Sequence, residues 1–144
     1  MPKYRGGSPI QNQIINGETL SAVTIIEMTD ELDGGDILAQ EEISLEGKIE
    51  DILKRITRVG SRLTKIIISG NIIRRKQNEN ESTFYNRRKD QDNEITIQEI
   101  LNKDSQYLYN KIRMLGDPYP FAYIKTADGK RLLIKEVVVE KDDD

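Results

Sequence analysis

Two short β-branched runs, one long amphipathic stripe and a closing Asp-Gly turn signal predict an α/β chain. The runs are Ala22–Met28 and Ile37–Ile43, the stripe spans Lys48–Gly70, and the turn lies at Thr126-Ala127-Asp128-Gly129. The expected architecture is part of a sheet covered by a long packing helix, followed by a small C-terminal helix plus β-hairpin. Residues 1–76 form the first unit, 77–94 a linker and 95–144 the second.

Each element has a local reason. Ser8 stands before a proline suited to the first helical position, and Ile10, Ile14 and Ile15 then recur at helical spacing until Asn16-Gly17 stops the turn. Val23, Thr24, Ile25 and Ile26 are β-branched and uninterrupted, which reads as a well-buried strand. Ile37–Ile43 is a second, less apolar strand. Between them Asp30-Glu31-Leu32-Asp33-Gly34-Gly35-Asp36 is an acidic loop whose glycines open backbone conformations closed to other residues. In the long stripe, Ile49, Ile52, Leu53, Ile56, Val59, Leu63, Ile66 and Ile67 follow the i, i+3, i+4, i+7 rule of a helix of about six turns. Gln77–Asn93 is polar apart from Phe84 and Tyr85 and reads as an extended surface segment. Asp104 can cap a helix carrying Leu108, Ile112 and Leu115, which Gly116, Pro118 and Pro120 terminate. Phe121–Lys125 and Arg131–Val139 are the hairpin strands, and Glu140–Asp144 is a solvated charged tail.

Composition narrows the chemistry. The chain has 144 residues, 36% hydrophobic and 33% charged, so a single thin core is expected. It contains neither cysteine nor histidine, which removes thiol nucleophiles, disulfides, imidazole bases and most zinc sites from these residues. Chemistry carried by them must use carboxylates, Lys, Tyr, Ser or Thr. With 22 basic and 25 acidic residues the net charge is -3, and no overall field draws the chain toward nucleic acid or anionic lipid. No apolar run approaches the roughly 20 residues of a membrane span, and no secretory leader is visible, so a cytoplasmic location without membrane contact is expected. Asp30, Asp33 and Asp36 are three apart rather than two, unlike the ligand order of a calcium loop, and no metal is expected. Arg74-Arg75-Lys76 and Arg87-Arg88-Lys89 read as solvated surface among acidic neighbours, making nucleic-acid binding an unfavoured reading. Asn80-Glu81-Ser82 matches a glycosylation acceptor, a match without force where no leader is seen.

Several ordered motifs are more specific. Pro2-Lys3-Tyr4-Arg5-Gly6-Gly7-Ser8-Pro9-Ile10, then Asn16-Gly17-Glu18, Val23-Thr24-Ile25 and Leu32-Asp33-Gly34-Gly35-Asp36-Ile37-Leu38 follow one another at family spacing. Tyr85-Asn86-Arg87-Arg88, Ile95, Tyr109-Asn110-Lys111-Ile112-Arg113-Met114-Leu115 and Asp117-Pro118-Tyr119-Pro120 continue the series. Together they resemble the 10-formyltetrahydrofolate-dependent formyltransferases, a family that includes methionyl-tRNA formyltransferase and amino-sugar N-formyltransferases. The resemblance covers nearly the whole chain and matches the family's C-terminal portion.

That resemblance implies a partial Rossmann-like sheet and transfer of a formyl group from 10-formyltetrahydrofolate, as co-substrate, to a primary amine. The family uses an Asn, a His and an Asp around the formyl carbon. The Asp falls on Asp33. The Asn and His precede the Pro-x-Tyr-Arg-Gly loop, whereas this sequence starts at Met1-Pro2. The resemblance therefore implies a truncated or split form, inactive alone, with a separate N-terminal half as a possible partner. It also implies that Val23–Met28 is a central strand short of a neighbour, with an exposed edge. The folate pocket maps to Pro2, Thr29, Asp30, Glu31, Leu32 and Asp33. Arg5 and Gly6 are either a plain turn or the border of the acceptor site. The acceptor expected is a small amine, such as a nucleotide-linked amino sugar, because the tRNA enzymes continue into a further barrel. A homodimer through the C-terminal hairpin is a further expectation, with Phe121, Tyr123 and Val137–Val139 either at that contact or packed inward. The alternative, from a different class, is a non-catalytic binding or assembly module derived from the same ancestor.

Overall fold

A computed structural model of the chain describes residues 3–70, 72 and 74–140. In chain order the elements are β1 (Arg5–Gly6), α1 (Pro9–Ile15), β2 (Leu20–Ile26), β3 (Ile37–Ser44), α2 (Ile49–Ile68), β4 (Phe84–Tyr85), α3 (Ile97–Asn102), α4 (Ser105–Arg113), β5 (Ala122–Lys125) and β6 (Arg131–Ile134), with two 3-10 turns between α2 and α3, one on each side of β4.

The amphipathic stripe forms α2 as its periodicity requires. Ile49, Ile52, Val59 and Leu63 are buried on one face, while Glu50, Asp51 and Lys54 stand on the other and pair along the helix. That apolar face lies on the antiparallel pair β2–β3, whose register runs from Leu20 opposite Ser44 to Ile26 opposite Ile37. Val23 and Ile25 point toward α2 and pack against the core; Thr24, on the other face, accepts a hydrogen bond from Gln40 Nε2 at 2.8 Å.

This corrects the reading of Ala22–Met28 as a well-buried strand. The strand is half-buried and shifted two residues toward the N-terminus, because a helix covers only one of its faces. Among the described residues β2 pairs only with β3, so its outer edge carries unpaired backbone groups.

The core does not stop at the polar segment 77–93. Ile14, Ile43, Leu45, Ile49 and Ile52 form one cluster with Ile95, Ile112, Met114, Leu115 and Ala122, from the other side of that segment. The segment itself runs back to the N-terminus. Arg5 N donates to Thr83 O and Gly7 N to Tyr85 O, both at 2.8 Å, making β1 and β4 a short parallel pair. The rings of Tyr4 and Tyr85 stack beside it, 5.0 Å apart and 9° from parallel.

Asp104 caps α4 as expected, accepting from Tyr107 N at 2.7 Å. Ser8 does not cap α1. Its backbone is left-handed at φ 53°, and its Oγ instead accepts from Arg88 N at 3.2 Å. The hairpin forms from Ala122 opposite Ile134 to Lys125 opposite Arg131, and its second strand ends there rather than at Val139. Val138 is 83% exposed and faces outward, while Val137 and Val139, each 37% exposed, are largely covered. Tyr123 does face the interior at 2% exposure, beneath the Arg131 guanidinium. The tail residues Lys141–Asp144 lie outside the described residues. No helix among the described residues is long and apolar enough to cross a membrane.

Candidate functional site

The acidic loop is a return between two strands, and its shape follows from a close backbone approach. Glu27 N donates to Asp36 O at 2.8 Å, and Gly34 N to Glu31 O at 3.3 Å. A Cβ on Gly35 would sit 1.8 Å from Glu27 O, a position only glycine can occupy. Replacing Gly35 by Ala should therefore destabilise the chain by about 1–3 kcal/mol through forced backbone shifts. Gly34→Ala should do less, since its nearest neighbour is the flexible, exposed Glu31 side chain at 2.6 Å. Urea midpoints of the two variants check the contrast, and equal midpoints would refute it.

Asp33 sits at the tip with a left-handed backbone, φ 54°. Its carboxylate is exposed and turns toward the N-terminal loop, where Oδ2 accepts from Gly6 N at 3.2 Å. The other oxygen, Oδ1, has no hydrogen-bond partner among the described residues. Gln77 clamps the same region: its Nε2 donates to Asp33 O and Gly35 O, both at 2.7 Å, and its Oε1 accepts from Arg5 Nη2 at 3.1 Å. Arg5 is 3% exposed and lies over the Phe84 ring. Its guanidinium serves the β1–β4 junction and the Gln77 clamp rather than open solvent.

Thr29, Asp30, Glu31, Leu32 and Asp33 line one open concavity of about 380 Å³ together with the end of β2. Thr29 Oγ1 donates to Glu31 O at 3.2 Å, which shapes its rim. Leu32 is 67% and Met28 96% exposed, so the apolar part of this wall is uncovered. Of the residues expected from sequence, Asp33, Gly6 and Arg5 come together through direct bonds or Gln77, and Thr29–Leu32 adjoin them. Pro2 lies outside the described residues. Gln77 escapes sequence reading because a single amide in a polar segment leaves no periodic signal.

An exposed carboxylate fixed at one oxygen and open at the other can orient and charge-stabilise a cationic base set against it. It cannot by itself supply the donors that a tetrahedral oxyanion needs. Among the described residues no group of three His, Cys, Asp or Glu is placed to hold a metal ion.

Comparison with known proteins places these features. The family profile described as formyl transferase matches residues 1–65. Methionyl-tRNA formyltransferase of Natranaerobius thermophilus is 33% identical over 146 aligned positions, covering 96% of this chain and 45% of that protein. The solved methionyl-tRNA formyltransferase from Clostridium thermocellum superimposes with a TM-score of 0.79 at 29% identity, over 96% of this chain and 65% of that one. WlaRD, a sugar 3N-formyl transferase solved in the presence of dTDP and 5-N-formyl-THF, superimposes at 0.69 with 26% identity, over 84% of this chain and 46% of that one. The chain thus spans under half the length of the curated relative, and the partial sheet is a piece of the α/β, Rossmann-like fold of these structures.

Proposed function

The chain belongs to the formyltransferase family, and from that premise we propose that it contributes the Asp33 side of a site transferring a formyl group from 10-formyltetrahydrofolate to a primary amine. The single observation that carries this reading is the hydrogen bond from Gly6 N to Asp33 Oδ2, 3.2 Å, which joins the two family motifs at the edge of the Thr29–Asp33 concavity.

In the proposed reaction the amine nitrogen bonds to the formyl carbon, the amine proton passes to a base, and the carbon–nitrogen bond to the folate breaks as that proton is delivered to the departing folate nitrogen. The 144 residues hold no histidine, so an imidazole base must come from outside them. Asp33 would position that imidazole and stabilise its charged form through Oδ1, as the buried carboxylate of a triad does. The unpaired edge of β2 is a natural seat for a strand of the complementing segment, since main-chain bonds along an open edge give affinity without side-chain specificity. The acceptor proposed is a small amine.

The test is a formyl-transfer assay of this chain with and without a supplied family N-terminal segment bearing Asn and His. Turnover is expected only in the mixture. Turnover by the isolated chain would refute the need for an external base. Stable association without turnover would favour the assembly-module reading.

A further inference from the structure

The acidic loop turns two carbonyl oxygens, those of Asp33 and Gly35, toward one side chain. Gln77 Nε2 donates to both at 2.7 Å, and no other donor among the described residues reaches either. Its Oε1 accepts from Arg5 Nη2 at 3.1 Å. Carbonyls only accept and a guanidinium only donates, so one orientation of the carboxamide satisfies all three contacts and the flipped one satisfies none. Gln77 stands 44 residues from Asp33 and 72 from Arg5, and its amide joins the two.

What it joins is strained. Among the described residues, the non-glycine positions with left-handed backbone are Tyr4, Ser8 and Asp33, at φ 62°, 53° and 54°. All three lie in the N-terminal loop or the acidic loop, the two segments that meet at the bond from Gly6 N to Asp33 Oδ2. Such residues persist only where their surroundings over-determine them. Segment 77–88 supplies those surroundings. Tyr4 N donates to Thr83 Oγ1 at 2.8 Å, Arg88 N donates to Ser8 Oγ at 3.2 Å, and Gln77 holds the carbonyl of Asp33 itself. The two backbones also meet without room to spare, because a Cβ on Gly7 would lie 2.3 Å from Arg87 Cα.

We infer that segment 77–88 is part of the reacting assembly rather than a connector, and that Gln77 is its positioning residue. By tying the Asp33 and Gly35 carbonyls to Arg5, it fixes the loop that aims the Asp33 carboxylate and leaves Oδ1 available to the incoming base. Gln77 acts only through Asp33. The kinetic part of this assignment rests on the proposed formyl transfer, whereas the clamp rests on the loop geometry alone.

The experiment pairs amide hydrogen exchange on the whole chain with steady-state kinetics of the complemented protein. Gln77→Met keeps the length of the side chain and removes all three bonds. Gln77→Glu keeps an acceptor for Arg5 but sets a carboxylate against two carbonyl oxygens. Both side chains replace one outside the apolar core, so exchange in α2 should not change. Exchange at Gly6 and Gly34, whose N–H groups bond Asp33 Oδ2 and Glu31 O, should rise roughly tenfold or more in either variant. In the complemented protein both variants should lower kcat by roughly 10²-fold with both KM values nearly unchanged, as expected for a misplaced group that binds neither substrate. Gln77→Met combined with Asp33→Asn should cost no more than Asp33→Asn alone, because the amide has no other route to the chemistry.

Unchanged exchange at Gly6 and Gly34 in the Gln77→Met protein overturns the clamp whatever the reaction. Faster exchange with an unchanged kcat, or losses that add in the double variant, makes Gln77 a brace for the fold and overturns its role toward Asp33. No turnover in the complemented wild type overturns the proposed transfer and the kinetic role with it, while the exchange result still decides the clamp.

Discussion

Asp33→Asn should lower formyl transfer in the complemented protein by about 10³- to 10⁴-fold, with the melting temperature unchanged, since in comparable triads the same change, which leaves the imidazole in the wrong tautomer, is worth that much. The substitution spares the loop but removes the charge and turns the Oδ1 acceptor into an amide donor. Asn tolerates the left-handed backbone that Asp33 adopts at φ 54°, and its side-chain oxygen can still accept from Gly6 N. The side chain is exposed, so no core contact changes with it.

Asp33→Ala is the harsher companion. It removes the charge and the bond to Gly6 N together, and it places a residue without local side-chain hydrogen bonds in a left-handed conformation that costs about 1–2 kcal/mol. Comparing the two separates chemistry from loop shape. If the Asp33→Asn protein kept more than a tenth of the rate while the Asp33→Ala protein lost it, the carboxylate would be a turn-former and the charge irrelevant. Folate affinity, read by titration of the mixture, should survive Asp33→Asn, because the Thr29–Asp33 wall is expected to hold the co-substrate through its backbone, which the substitution leaves in place.

Much of the fold is readable because its periodicity is long or its turn chemistry is specific. α2 repeats its apolar spacing over twenty residues, and the Asp-Gly turn between β5 and β6 leaves few alternatives. What escapes is short or non-local. The Thr96-x-x-Glu99 capping box of α3 is visible in the sequence, with Glu99 N donating to Thr96 Oγ1 at 3.2 Å. Its helix evades a periodicity argument because it has no core-facing stripe: Ile97 is 72% and Leu101 73% exposed. The β1–β4 pair joins residues about eighty apart through two positions each, too few to set a period. Arg5 reads in sequence as a turn or the border of a site and is instead buried, because the groups that receive its guanidinium, Gln77 and Phe84, come from that distant segment. At the candidate site the Asp33 motif is legible, whereas Gln77 is not. Uncharged amides acquire meaning only from what surrounds them in space.

The largest stability effect is expected at Lys111, inside the Tyr109–Leu115 motif. Its side chain is 5% exposed, and Nζ donates to Glu99 Oε1 and Glu94 O, both at 2.6 Å. Glu99 is also held by Thr96 N at 3.0 Å and by the Tyr107 hydroxyl at 3.2 Å, so one ion pair fastens α4 to the start of α3. Lys111→Met keeps the apolar stem but strands a carboxylate and a backbone carbonyl. Breaking a buried pair from one side costs about 3–5 kcal/mol, and the 19% exposure of Glu99 favours the lower end. Melting should fall by roughly 10 °C for a chain of this size. Glu99→Gln, which strands the deeper cation, should cost at least as much, and removing both partners less than the sum. The pH dependence gives an independent reading. Burial pushes the Glu99 carboxyl up, but Lys111, Thr96 and Tyr107 outweigh it and hold the group below the ordinary carboxylate value. A group depressed on folding stabilises the native state above its unfolded pKa, about 4.3, and that contribution is lost as the pH falls through the lower folded value. Wild type should therefore lose melting temperature on acidification more steeply than Glu99→Gln, which carries no proton-linked group there. Parallel acid profiles, or a Lys111→Met protein melting within a degree or two of wild type, would show that the pair does not hold the two helices together.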